Sequence, residues 1–247
     1  MKVIGVIPAR YGSTRFPGKP LKMVGGKPLL QWVVEASKTA QSLDEVWLAT
    51  DDERIAELGR SLKIKTVMTS PELPSGSDRI WSAVKDFDVD VVVNIQGDEP
   101  LITGELLDQL VKPFFDSPAL AMATLGRDLQ KGDLESPNTA KIVRDLHGDA
   151  IYFSRLPIPF TRVDAQQNNG LCLKHIGMYA YRKNFLQQFC AQGPVPLELA
   201  EGLEQLRALY LGAAIRVVKV EHESWGVDTP EDVAKVEGLL RQRGYIK

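Results

Sequence analysis

Cysteine is almost absent from this 247-residue chain: only Cys172 and Cys190 occur, far apart and without zinc-type spacing. That excludes a disulfide framework, makes each a free thiol, and suits a reducing cytoplasm. Histidine is equally scarce. His147, His175 and His222 stand apart with no metal spacing. No apolar run approaches the ~20 residues of a membrane span. Met1-Lys2-Val3 leads directly into a strand, without the longer apolar core of a signal peptide. A net charge of −2 supplies no global basic field, which argues against a nucleic-acid partner. Repeats, low-complexity tracts and charged tails are missing. The expectation is a soluble, cytoplasmic protein with no membrane partner.

What is present begins with an apolar run, Val3-Ile4-Gly5-Val6-Ile7, that enters Pro8-Ala9-Arg10-Tyr11-Gly12-Ser13-Thr14-Arg15-Phe16-Pro17-Gly18-Lys19-Pro20. A strand followed by a loop of small residues, prolines and three cations can cradle a polyanion. Backbone N–H groups approach phosphate oxygens, and Arg10, Arg15 and Lys19 neutralise charge. The same loop also reads as a basic surface turn. It is not a Walker A motif: five residues separate Gly12 from Gly18 where four are required, and Pro20 stands in the magnesium-binding Ser/Thr position.

The first half alternates strand and helix. Helical spacing covers Pro28 to Lys38, 53–62, the segment after Ser75-Gly76-Ser77-Asp78, and Gly104 to Phe115. Strands are expected at Glu45–Thr50, Thr66–Met68, Asp90–Ile95 and Ala121–Leu125. This rhythm predicts an α/β fold with a mostly parallel, doubly wound sheet that binds its ligand at the strands' C-terminal ends. After about Gly126 the rhythm breaks. Thr139–Arg144, Ile151–Phe153 and His175–Tyr181 read as antiparallel strands around an irregular stretch, Leu156 to Gly170. Phe185–Ala191 and Leu197–Leu211 read as helices, Ile215–Val220 as a strand, and Pro230 to about Arg243 as the last helix. We read a single domain, 1–247, with an antiparallel insertion or dimerisation lobe at about 127–211.

Two aspartates stand out. Asp98, in Gln96-Gly97-Asp98-Glu99-Pro100, follows the most apolar strand, where a carboxylate can hold a hard metal–phosphate complex; a turn-forming Gly-Asp reads equally well. Asp228 lies one residue before Thr229, a good N-cap, with Pro230 in the first turn and Asp232 completing a capping box. It is either a ligand or a partner of the helix dipole. Position alone does not bring the two together. His175, Gly177 and Tyr179 would share one face of a strand, and a half-buried, hydrogen-bonded His175 is the plain alternative to a functional one.

The ordered set Pro8-Ala9-Arg10 through Lys19-Pro20-Leu21, Ala49-Thr50-Asp51-Asp52, Ser75-Gly76-Ser77-Asp78-Arg79, Asn94-Ile95-Gln96-Gly97-Asp98-Glu99-Pro100, Tyr152-Phe153-Ser154-Arg155, Leu203-Glu204-Gln205-Leu206-Arg207 and Gly226-Val227-Asp228-Thr229-Pro230-Glu231-Asp232 closely resembles the 3-deoxy-manno-octulosonate cytidylyltransferase (CMP-Kdo synthetase) family. The likeness covers essentially the whole chain. It implies a GT-A-like nucleotidyltransferase fold, a homodimer, and the reaction of CTP with 3-deoxy-D-manno-octulosonate (Kdo) to give CMP-Kdo and pyrophosphate for lipopolysaccharide assembly. It implies Mg2+ on Asp98 and Asp228, and catalytic roles for Lys19, Asp98 and Asp228. CTP would be held by Ala9, Arg10, Ser13, Arg15, Lys19 and Arg79. The sugar would be lined by Gln96, Arg162, His175, Tyr179, Glu204 and Gln205. Competing readings are a cytidylyltransferase for 8-amino-Kdo or a sialic acid, a glycosyltransferase, which usually carries Asp-x-Asp where Gln96-Gly97-Asp98 stands, and a non-catalytic nucleotide-binding regulator.

Overall fold

The computed structural model describes residues 1–12, 16–162 and 170–246. They fall into two compact units, Met1–Asp108 with Ser224–Lys247, and Gln109–Glu223. Ser13 and Arg15 lie outside the described residues.

In the first unit, β1 (Val3–Ala9) runs into a 3-10 turn at Lys19–Leu21, a short hairpin of β2 (Met23–Val24) and β3 (Lys27–Pro28), and helix α1 (Leu29–Ser37). Then come β4 (Glu45–Thr50), α2 (Glu53–Ser61), β5 (Lys65–Met68), α3 (Gly76–Val84), β6 (Val91–Asn94) and α4 (Gly104–Val111), whose last three residues are counted with the second unit. The strands are parallel in the order β6-β1-β4-β5, with Val6 opposite both Trp47 and Asn94. Val3, Ile4, Val6, Ile7, Leu48, Ala49 and Val91 to Val93 are buried. Consecutive burial of this kind is why these strands read as continuous apolar runs rather than alternating ones.

The second unit holds α5 (Pro113–Asp116), β7 (Met122–Asp128), β8 (Lys141–Arg144), β9 (Ala150–Ser154), β10 (Cys172–Arg182), α6 (Lys183–Gln192), α7 (Pro196–Glu201), α8 (Leu206–Tyr210) and β11 (Ile215–Lys219). Here β11 pairs parallel with β7, while β7–β10, β10–β8 and β8–β9 are antiparallel. The expected mixed α/β class, mostly parallel first and antiparallel later, is what is found. The last helix, α9 (Pro230–Gln242), returns to the first unit. Val236 and Leu240 of α9 pack there in a cluster with Val24, Leu29, Trp32, Leu101 and Val227.

Two expected helices are interrupted. The helix read over Gly104–Phe115 stops at Val111 and restarts at Pro113, because Pro113 has no N–H for the carbonyl of Gln109. The helix read over Leu197–Leu211 is two helices. Gly202 takes the left-handed conformation (φ 61°, ψ 40°) and ends α7, as glycine does at a helix C-terminus. The break leaves Glu204 and Gln205 outside both helices.

Candidate active site

The first site grows from the end of β1. Pro8, Ala9 and Arg10 leave the sheet, and the Gly18 N–H donates to the Tyr11 carbonyl (3.0 Å), closing the loop at its neck. Gly18 has φ 66°, a conformation that favours glycine. The 3-10 turn then presents Lys19. Its ammonium lies 2.6 Å from Asp98 Oδ2 and 3.1 Å from Asp228 Oδ1.

Asp98 reaches that point because β6 ends at Asn94 and the turn after it lies against β1. The Ile95 N–H donates to the Val6 carbonyl (3.0 Å), and a Cβ on Gly97 would stand 3.3 Å from the Pro8 carbonyl oxygen. Asp228 arrives by a backbone staple, the Val227 N–H donating to the Asp98 carbonyl (2.9 Å). The Asp232 carboxylate accepts from the N–H groups of Asp228 (3.0 Å) and Thr229 (2.9 Å) and from the Thr229 hydroxyl (3.1 Å). These bonds, above all that from the Asp228 N–H, hold the Asp232 carboxyl below the ordinary carboxylate range. Asp232 thereby fixes both the start of α9 and the backbone of Asp228. Next to Asp98, Glu99 is buried with its pKa pushed up to about 7, first by burial, with Asp98 adding to the rise and Ser224 opposing it.

Two carboxylates and one ammonium leave this cluster with one net negative charge. Both carboxylates converge on a single cationic atom, so a cation fits between them. Among the described residues no group of three or more His, Cys, Asp or Glu could hold a metal. Two aspartates with phosphate and water oxygens are, however, the ligand set Mg2+ prefers.

The cluster lines a cavity of about 340 Å3 with Ala9, Arg10, Pro74, Ser75, Gly76, Arg79 and Gln96. Ser75 and Gly76 are the N-terminus of α3, a positive dipole end. The Ser75 hydroxyl accepts from the Asp78 N–H (3.1 Å) and donates to its carboxylate (2.7 Å). Arg79 is 3% exposed. It is held by Asp51 Oδ2 (3.1 Å) and by the Thr69 hydroxyl, so one buried guanidinium is fixed at the cavity wall. Of the sequence-derived CTP set, Ala9, Arg10, Lys19 and Arg79 meet here.

A second cavity, about 330 Å3, lies within the second unit. His175, Tyr179, Glu204 and Gln205 line it, with Asn138, Thr139, Arg155, Lys174 and Gly177. Four of the six residues expected to line the sugar are thus brought together. Gln96 lines the first cavity instead, and Arg162 is exposed and lines neither. A bulge in β10 shifts the register with β7 between Ile176 and Tyr179. Thr124 satisfies a carbonyl there, its hydroxyl donating to the Met178 oxygen (2.9 Å).

The polar chain through this cavity fixes a tautomer. The Tyr179 hydroxyl donates to Gln205 Oε1 (3.0 Å), which turns the Gln205 amide N–H towards His175 Nδ1 (3.4 Å). His175 Nε2 then carries the proton and donates to Thr124 Oγ1 (3.0 Å). Protein surrounds the imidazole, although part of its surface faces the cavity. Desolvation lowers its pKa from 6.5 to about 3, so the ring is neutral near pH 7. Across the break at Gly202, buried Arg207 grips buried Glu198 through two bonds (2.9 and 2.6 Å). Bidentate pairing of this kind adds geometric control, here to the two helices that flank Glu204 and Gln205.

Sequence reasoning missed Ser75 and Gly76 as cavity lining, although it saw the helix start. It also missed Asn138, Thr139, Arg155 and Lys174 as cavity lining; they come from three separate segments, and of them Arg155 alone lies in a motif quoted above, Tyr152-Phe153-Ser154-Arg155.

Carboxylates, lysine and a helix N-terminus around one cavity at parallel strand ends define a protein built to handle nucleoside phosphates. The cytidylyltransferase family profile matches residues 4–217. A protein of Bdellovibrio bacteriovorus named 3-deoxy-manno-octulosonate cytidylyltransferase is 55% identical over 246 residues, covering 99% of this chain and 100% of that one. One of the same name from Geobacter sulfurreducens is 46% identical over 250 residues, covering 98% and 100%. The solved structure of CMP:2-keto-3-deoxy-manno-octonic acid synthetase complexed with CTP superposes with a TM-score of 0.93 at 40% identity, covering 98% of this chain and 100% of that one. This chain belongs to the 3-deoxy-manno-octulosonate cytidylyltransferase family.

Proposed function

We propose that the protein transfers CMP from CTP to the anomeric hydroxyl of Kdo, releasing pyrophosphate, with Mg2+ as cofactor. The observation that carries this is the convergence of Asp98 and Asp228 on one cation beside the nucleotide-sized cavity, in a chain that matches cytidylyltransferases over its full length. The sugar oxygen attacks the α-phosphorus in line, the bond to the β-phosphate oxygen breaks, and the hydroxyl proton is lost. Arg10 and Lys19 counter the negative charge of the triphosphate, with Ser13 and Arg15 assigned to the same task by resemblance. Ala9 and Arg79 hold the nucleoside end. His175, Tyr179, Glu204 and Gln205 orient the sugar acid, His175 as a neutral hydrogen-bonding group. Mg2+ on Asp98 and Asp228 supplies Lewis-acid screening between two anions when bound. No protein nucleophile is needed.

A homodimer is proposed on the apolar side chains that the second unit leaves in solvent, among them Leu156, Phe160, Leu199 and Tyr210. No helix among the described residues is long and apolar enough to cross a membrane, and the proposed compartment is the cytoplasm. Pyrophosphate release from CTP, UTP or ATP, each paired with Kdo, 8-amino-Kdo or sialic acid, tests the reading. CTP with Kdo should give the fastest turnover. Silence from that pair with Mg2+ present overturns the reading, and a faster rate with another acid reassigns the substrate.

A further inference from the structure

We infer that Lys141 is a positioning residue that pre-shapes the second cavity by clamping segment 136–139 to the end of β9. The inference rests on that cavity being the sugar-acid site. Lys141 is fully buried. Its ammonium donates to the carbonyls of Ser136 (2.9 Å), Thr139 (2.7 Å) and Arg155, which uses all three of its donors. Among the described residues no carboxylate pairs with it.

The location makes a cation there expensive. Lys141 opens β8, directly opposite Lys174 of β10, and Lys174 in turn faces Arg127 of β7. Like charges directly opposite across strands destabilise a sheet. Asp133 relieves the other two, pairing with Arg127 at 3.0 Å and Lys174 at 3.1 Å. Lys141 has only carbonyls as hydrogen-bond partners, and although Glu201 and Asp133 attract it from further off, burial lowers its pKa. A well-packed apolar side chain would sit in such a slot at less cost. What the ammonium does, and an apolar group does not, is tie carbonyls together.

Those carbonyls belong to the segments that supply Thr139 and Arg155 to the cavity wall. Arg155 extends the clamp, donating to the carbonyls of Pro137 (3.1 Å), Glu201 (2.8 Å) and Gly202 (3.2 Å). Gly202 is the break that frees Glu204 and Gln205. One ammonium therefore stands at the centre of the bonds that set the rim.

The test is Lys141→Met, whose unbranched side chain fills the slot but for its last atom and loses the donors. KM for Kdo should rise about ten-fold, the scale of a small misplacement, while kcat and KM for CTP stay within about two-fold. An unchanged KM for Kdo in folded protein overturns the inference. So does a fall in kcat with a matching rise in both KM values, which is what a merely structural role predicts. Tyr179→Phe is the companion. If neither variant moves KM for Kdo, the sugar-site reading fails; if only Tyr179→Phe does, the clamp alone fails. Should Lys141→Met not fold, hydrogen exchange in the native protein decides. The Thr139 amide, which donates to the Ser136 carbonyl (3.1 Å), should be protected without sugar acid, and protection that arises only on adding Kdo refutes pre-shaping.

Discussion

Lys19 occupies the spot where a metal ion would have to sit, 2.6 Å and 3.1 Å from the two aspartates. On the proposed Mg2+ reading, the ammonium would hold the carboxylates together until the divalent ion takes its place. Removing it should leave two anions facing each other. We expect the melting temperature of Lys19→Met, without nucleotide, to rise more on adding millimolar MgCl2 than that of the native protein. Equal shifts in a thermal melt would show that lysine and metal do not share the place. Asp98→Asn and Asp228→Asn should each slow pyrophosphate release at least ~100-fold, the scale of losing an electrostatic contact in the transition state. Near-normal turnover in both would remove them from the chemistry.

His175 gives a prediction of another kind. Its pKa falls from 6.5 in the open chain to about 3 in the fold. Between those values the unfolded chain takes up a proton that the native state refuses. The stability tied to the neutral ring is therefore fully present above 6.5 and drains away as the pH drops towards 3, with a slope of about 1.4 kcal/mol per pH unit. Urea midpoints measured at pH 7.5 and pH 5 should differ less for His175→Gln than for the native protein. The pH–rate profile should carry no inflection from this ring.

At the scale of elements, the joints matter more than the rods. Asp232 accepts three bonds at the head of α9, one of them from the backbone of Asp228. Asp232→Ala should cost 0.5–2 kcal/mol in denaturant melts, the usual loss of an N-terminal cap, and should weaken turnover through Asp228. Gly202→Ala meets no clash, because the nearest atom to the added methyl is 3.8 Å away. Its cost comes from φ 61°, about 1 kcal/mol, and should appear with a higher KM for Kdo. A variant with native stability would mean the segment relaxes freely.

These joints also mark where the sequence stopped being legible. Apart from the short β2–β3 hairpin, which was not expected, the strands of both units were visible, since Val91-Val92-Val93 and its kin are apolar without interruption and buried in succession. The capping box at Thr229 was visible because its chemistry is local. The run from Leu197 to Leu211 looked continuous because its apolar residues keep helical spacing on both sides of Gly202, and the glycine's handedness is not written in that spacing. Asp98 and Asp228 are 130 positions apart in the chain, so their meeting depends on the Val227–Asp98 backbone bond, a product of the fold. The second cavity was half legible. The His175 and Tyr179 face followed from strand alternation, whereas Asn138, Thr139 and Arg155 are assembled by Lys141, a residue whose burial no pattern around it announces.

For the whole molecule, solvent-facing apolar side chains give the clearest expectation. Phe160 is 88% exposed and Leu199 70%, and the proposed dimer is expected to bury them, as contiguous apolar patches are buried in association. Analytical ultracentrifugation of the native protein should report a dimer, and Phe160→Asp with Leu199→Asp should shift it to monomer. A native monomer would place these side chains in some other contact.

The first unit is built from both ends of the chain, 1–108 and 224–247, with the second unit spliced between them. A ribosome delivers Lys19 and Asp98 early and Asp228 almost last. Until Asp228 and α9 emerge, Val24, Leu29 and Trp32 lack part of their cover, and the first cavity has only one of its two aspartates. A chain that stops before Asp228 and α9 would therefore lack the second aspartate of the proposed metal site and would leave part of that apolar cluster in water.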